Sequence, residues 1–248
     1  MHRSLLSLLI FITSVLWHTE SQAEKFNYAP SADLLYNIKS SQKGIPVSGE
    51  AKVSWQVTGQ DQQPKQYRLS SETKVALFGK ILLSSSLGSI QEFGLAPERF
   101  VEKRFRRDET ITYFDRERKL IHFSDSDQSY PIRGGEQDRL SATWQLVGLV
   151  RQLGDKFQVG HEWKMVAAGT KDADPWTFKL IEYSKIRTAL GEQNVMHIVK
   201  APPPDALGQK LELWLAIDLD FYPVRIHFQD NNGDQVEQKI LSITKQTP

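Results

Sequence analysis

Polar and apolar residues alternate with a period of two along much of this chain, most cleanly where Ala51, Val53, Trp55 and Val57 are set against Lys52, Ser54 and Gln56. That period places apolar side chains on one face of a strand and polar ones on the other. Comparable segments run from Asp33 to Lys39, Gln66 to Phe78, Thr110 to Phe114, Lys119 to Phe123, Glu162 to Ala167 and Trp176 to Ile186. They continue at Asn194 to Lys200, Lys210 to Ile217, Val224 to Gln229 and Gln235 to Ile243. Many short strands in series predict an antiparallel sheet. Gly59-Gln60-Asp61, Asp125 to Gln128 and Asp230-Asn231-Asn232-Gly233 fall between them, as residues that tolerate positive φ or bond their own backbone should. Gly134-Gly135 separates the two halves.

One segment breaks the alternation. From Asp138 to Leu153, Leu140, Trp144 and Val147, then Leu146, Val150 and Leu153, recur at helical spacing and make one apolar stripe. Asp138 or Ser141 can cap its start, and Gly154 lies just past its end. The expected fold is therefore mainly β: an antiparallel, strongly curved sheet or β-barrel-like fold with one amphipathic helix. A single helix covers only part of a sheet's apolar face. The remainder is expected to form a barrel interior or a cleft for an apolar ligand.

The N-terminus changes the picture of where this fold operates. A short basic start at Arg3 leads into an apolar run from Leu5 to Trp17 and a polar stretch ending Ser21-Gln22-Ala23. That order is the pattern of a secretory signal peptide with a small-residue cleavage site. We expect residues 1–23 to be removed, leaving 24–248 as a single β-rich domain in the periplasm. No later segment is apolar enough over roughly 20 residues to span a bilayer. The chain has no cysteine, which excludes disulfides, thiolate nucleophiles, sulfur-ligated metals and cysteine-linked lipid. A formal net charge of +1 gives no general attraction to nucleic acid.

Four short stretches carry a resemblance to a known family: Gly94-Leu95-Ala96-Pro97, Gln137-Asp138-Arg139-Leu140-Ser141, Trp214-Leu215-Ala216 followed by Asp218, and Tyr222-Pro223-Val224-Arg225. Together, from about Tyr28 to Thr244, they resemble the bacterial domain of unknown function 3108, whose members are exported. Arg139 and Ile217 stand where that family often has proline. The resemblance implies a β-barrel-like envelope protein and supplies no catalytic residues.

Chemistry-bearing residues are sparse. His122, His161, His197 and His227 lie in or beside expected strands without metal-ligand spacing, so no metal and no cofactor is expected. His227 shares a strand face with Arg225 and Gln229, toward solvent or a polar groove. Ser84-Ser85-Ser86 and Ser89 sit in no GxSxG setting. The pairs Asp125/Asp127 and Asp218/Asp220 could serve a glycosidase, but they occupy polar connections where aspartate bonds local N–H groups. Asp230 to Asp234 lacks the closing glutamate of a calcium loop. Gly134-Gly135 has no GK[ST] sequence to mark a phosphate loop.

Two features carry a binding hypothesis. A basic run from Arg99 to Arg107, with Lys103, Arg104 and Arg106, is followed after the next strand by Arg116, Arg118 and Lys119; Arg104, Arg106, Arg116 and Arg118 are the candidate anion patch, for anionic lipid, lipopolysaccharide or an acidic glycan. Neighbouring Glu102, Asp108, Glu109, Asp115 and Glu117 can neutralise much of that charge. Trp214 stands on the opposite strand face from Leu211, Leu213 and Leu215, so its strand is largely apolar on both faces. The expected ligand site is lined by Trp55 and Trp214 with Arg225 near the mouth. The expected function is a non-enzymatic binding or assembly protein of the cell envelope. Its expected partners are an envelope lipid, lipopolysaccharide or an envelope protein. Alternatives are a glycan hydrolase and a protein-interaction scaffold without small ligand.

Overall fold

The computed structural model describes residues 26–42, 45–59, 65–75, 78–202 and 208–246; the expected leader and the turn residues Gln60 and Asp61 lie outside the described residues. The first half of the chain is a meander of β1 (Ala32–Gln42), β2 (Ile45–Thr58), β3 (Lys65–Val75), β4 (Gly79–Gln91), β5 (Gly94–Arg104), β6 (Thr110–Asp115), β7 (Leu120–Phe123) and β8 (Ser126–Pro131). The second half holds β9 (Gln137–Asp138), the helix α1 (Ser141–Leu153), β10 (Glu162–Ala168), β11 (Ala173–Thr188), β12 (Gly191–Lys200), β13 (Lys210–Ala216), β14 (Pro223–Gln229) and β15 (Gln235–Lys245).

All fifteen strands share one sheet, ordered β8 to β1 and then β15 to β9. The two meanders meet where β1 pairs antiparallel with β15, Ala32 opposite Lys245 and Ser41 opposite Gln235. Among the described residues only β9 and β10 pair in parallel.

The fold is mainly β with one helix, as expected, but the sheet does not close into a complete barrel. Its outer strands β8 and β9 share no hydrogen-bonded ladder. Side chains join the two ends instead. The Thr112 hydroxyl donates to Gly169 O at 2.6 Å, Lys171 pairs with Asp125 at 2.9 Å, and Phe114, Ile121 and Phe123 pack with Ala168 and Ala173.

On the face turned toward α1 the sheet carries one large buried apolar cluster. Ala32, Leu34, Tyr36 and Ile38 of β1 are buried together on one face, beside Ala51, Val53 and Trp55 of β2. Against them α1 lays Trp144, Leu146, Val147 and Val150. The Trp55 ring stacks between Trp144 and Tyr67, with centroids 4.7 and 5.6 Å away, and its Nε1 donates to Ala29 O at 2.9 Å. Each such side chain removed from water contributes about 1.5–3 kcal/mol.

The first turn before α1 is fixed by Asp138. Its Oδ1 accepts the N–H of Leu140 and Ser141 at 2.9 and 2.8 Å, while Ser141 Oγ accepts the N–H of Asp138 at 2.9 Å. This is the reciprocal logic of a capping box. At the other end Gly154, at φ 62°, returns its N–H to Val150 O. The stretches Gly94 to Pro97 and Gln137 to Ser141 meet here: Leu95 N–H donates to Gln145 Oε1, and Leu95 O accepts from Gln137 Nε2, both at 2.7 Å. Strand β5 is thereby held to the helix through backbone groups that would otherwise be buried without partners.

A polar cleft beside Arg225

Strand register assembles the candidate site on the sheet face turned away from α1. His197 of β12 lies opposite Trp214 of β13, Trp214 opposite Arg225 of β14, and Arg225 opposite Lys239 of β15. The neighbouring row runs Glu212, His227, Glu237 and then Lys39 of β1. Residues two apart on a strand share a face, so both rows project the same way.

Trp214 is only 7 % exposed despite its outward position. Its indole lies between the His197 imidazole, parallel at 4.3 Å, and the Arg225 guanidinium, 4.3 Å from the ring centroid. Glu237 Oε1 fixes that guanidinium by accepting from Nε at 2.8 Å and from Nη2 at 2.6 Å; its Oε2 meets Lys239 Nζ at 3.1 Å. A planar guanidinium that stacks and forks at once is a role lysine cannot fill.

Glu212 binds the second row together. Its Oε1 meets Lys210 Nζ at 2.6 Å and its Oε2 meets His227 Nδ1 at 2.9 Å. Burial works to raise both the Glu212 and Glu237 carboxyls, yet their cationic neighbours prevail and hold each below the usual range. For His197, burial prevails over the attraction of Glu212 and Glu182 and lowers its proton affinity. Beside these residues lies an open cleft of about 370 Å³ lined by Lys39, Ser40, Ser41, Arg225, His227, Gln235 and Glu237. Its groups are a fixed guanidinium, an ammonium, an imidazole, hydroxyls, an amide and a carboxylate. They suit a polar ligand that accepts and donates hydrogen bonds.

The structure does not bring the expected lining residues together. Trp55 belongs to the face packed on α1, because it pairs with Ala32, whereas Trp214 occupies the opposite face. Arg225 does stand at a cleft, with His227 beside it. Sequence named His197 only as a histidine without metal-ligand spacing and did not single out Glu237 or Lys39; strand parity alone would have put Glu237 and Lys39 on the polar face, but not beside Arg225.

The expected anion patch is divided as well. Arg104 and Arg106 lie at the β5–β6 end, with Arg104 bonded to Glu102 at 2.7 Å. Arg116 and Arg118 lie past the far end of β6, where Arg116 donates to Pro97 O at 2.9 Å and Arg118 pairs with Asp115 at 3.6 Å. Of the aspartate pairs, Asp127 is an exposed residue of β8, Asp218 accepts from Asn194 at 2.8 Å, and Asp220 binds Arg151 and Lys245 at 2.8 and 2.6 Å. Burial pushes the Asp220 carboxyl up but the two cations outweigh it and lower it, the reverse of a general acid.

No curated protein matches the chain. Among solved structures, a β-barrel-like protein of domain of unknown function DUF1849 from Brucella abortus superposes with a TM-score of 0.56 at 8% identity, covering 89% of this chain and 100% of that one. A DUF1329 family protein from Desulfovibrio piger covers 88% of this chain and 87% of its own at 6% identity, with a TM-score of 0.33. The first likeness is one of fold. The family described as "Protein of unknown function (DUF3108)" matches residues 35–240, which takes in both meanders and the helix, and the chain belongs to it.

Proposed function

We propose that this chain is a non-enzymatic binding protein of the cell envelope that takes a polar ligand, or the polar headgroup of an amphiphile, at the cleft beside Arg225. The observation that carries this reading is the fixed guanidinium: Glu237 and Trp214 together hold Arg225 in one orientation at the cleft of about 370 Å³. A cation already ordered before binding loses little rotamer freedom when a ligand arrives. The leader-like residues 1–23 support the envelope as the compartment. The barrel-like fold of its structural relative is compatible with a binding role.

Native mass spectrometry of the chain purified from the envelope of cells that export it tests the reading. We expect a reproducible small-molecule adduct on the native chain that is lost from the Arg225→Ala variant. A native chain free of adducts, or an adduct retained equally by both, sinks the proposal.

A further inference from the structure

The sheet end that carries the β3–β4 and β5–β6 connections is unlike the rest of the surface. Leu82 pairs with Arg104, so Phe78, just before β4, and Phe105, just after β5, emerge side by side. Their rings meet edge-on at 6.2 Å, yet both are open to solvent, at 60% and 43% exposure. Backbone bonds fix them there: Phe78 N–H donates to Val75 O at 3.2 Å and Phe105 N–H to Ile81 O at 2.9 Å. Ile45, 65% exposed, projects at the same end, because Gly49 is already opposite Val75, the last residue of β3.

Cations surround this apolar tip. The Arg106 guanidinium sits 4.9 Å from the Phe105 ring centroid; Lys80 and Arg104 are also exposed here, each bonded to one glutamate. Lys103, Arg106 and Arg107 are exposed and engaged in no ion pair among the described residues, against two unpaired exposed carboxylates there, Asp108 and Glu50. Exposed aromatic rings held next to unpaired cations have a chemical match in the bilayer interface. There the rings enter the headgroup and upper acyl region while the cations meet phosphates. Water gives the rings no such return, and an acidic protein surface gives them no apolar depth.

We infer that this end of the sheet docks on an anionic lipid surface, with Phe78 and Phe105 entering it and Lys103, Arg106 and Arg107 contacting the headgroups. The surface is separate from the Arg225 cleft and does not depend on the reading of that cleft. Phe93, 74% exposed at the opposite end of the sheet, serves as an internal control.

Co-sedimentation of the chain starting at Glu24 with vesicles decides the matter, comparing phosphatidylcholine alone with phosphatidylcholine containing about one third phosphatidylglycerol. We expect binding to the anionic vesicles only, weakening as salt rises. Removing two cations in Arg106→Gln with Arg107→Gln should weaken it about fivefold for each charge. Phe78→Ser with Phe105→Ser should weaken it at least as much, while Phe93→Ser leaves it unchanged. The variants touch exposed side chains, so unaltered circular dichroism and melting are required of each. Failure of the native chain to bind anionic vesicles, or binding that survives loss of either the rings or the charges, overturns the inference.

Discussion

The imidazole of His197 lies parallel to the indole of Trp214, 4.3 Å between centroids and 7° between planes. The ring is partly buried, and burial outweighs the attraction of Glu212 and Glu182 to lower the proton affinity of His197. The unfolded chain therefore takes up this proton first as pH falls. Stability from this group is full above the ordinary histidine value of about 6.5, declines below it, and levels off beneath the depressed folded value. His197→Phe keeps a ring on Trp214 and should flatten that part of the profile. Urea midpoints measured between about pH 5 and 8 check it; an unchanged slope rejects the assignment.

Arg225 should not be replaceable by lysine. The Arg225→Lys chain keeps the charge but loses the fork to Glu237 and the stack on Trp214. Because the pair is partly exposed, the cost in stability should be modest, about 1 kcal/mol. The effect on cleft binding should be much larger than the effect on unfolding, and comparing the two by denaturation and native mass spectrometry distinguishes a site residue from a structural one.

Asp138 carries a buried carboxyl whose protonation works in the opposite sense. Ser86 Oγ donates to its Oδ2 at 2.5 Å and shares a hydrogen bond with Tyr67 Oη at 2.9 Å, but burial prevails and raises its proton affinity in the fold. The ionised group thus costs stability at neutral pH, and the cost shrinks as pH falls through the raised folded value toward the unfolded 3.8. Asp138→Asn keeps the acceptor for Leu140 and Ser141 without the buried charge, and should be at least as stable at neutral pH. Asp138→Ala leaves those N–H groups unpaired and should lose about 2–3 kcal/mol. Chemical denaturation of both variants would refute this if the order were reversed.

Gly148 tests whether the segment ahead of β1 is seated on the helix. In an ordinary helix interior, glycine to alanine gains about 1 kcal/mol. Here the added Cβ would run into the Phe26 ring, which is 4% exposed. Gly148→Ala should therefore destabilise by about 1–3 kcal/mol, and pairing it with Phe26→Ala should recover part of that loss in a double-mutant cycle.

Alternation exposed the strands whose two faces differ: β2 shows it through Ala51, Val53 and Trp55, and β14 through Val224, Ile226 and Phe228 set against Arg225, His227 and Gln229. It failed at β4, where Ser84, Ser85 and Ser86 offer no contrast although Ser86 is fully buried, and at β5, where Leu95, Ala96 and Pro97 are apolar in succession. Edge strand β8 is largely polar. The helix was legible because its stripe and both end signals agree. The cleft was not, since it joins residues from β1, β14 and β15 whose adjacency is a matter of long-range register. Sequence showed that Trp214 faces away from the leucines; only the neighbours His197 and Arg225 explain why it is nevertheless buried.

The pairing of β1 with β15 places the beginning and end of the described domain next to each other, with Ala32 opposite Lys245. All other neighbouring strands along the sheet are also neighbours in sequence. The gene order thus conceals a simpler path. A circular permutant that joins the region of Phe26 to that of Gln246 and opens the chain at Gly134-Gly135 would run β9, α1, β10 to β15 and β1 to β8 without a break in order. Its largest long-range closure becomes a local hairpin, and by the dependence of folding rate on contact order it should reach the same sheet faster than the natural chain.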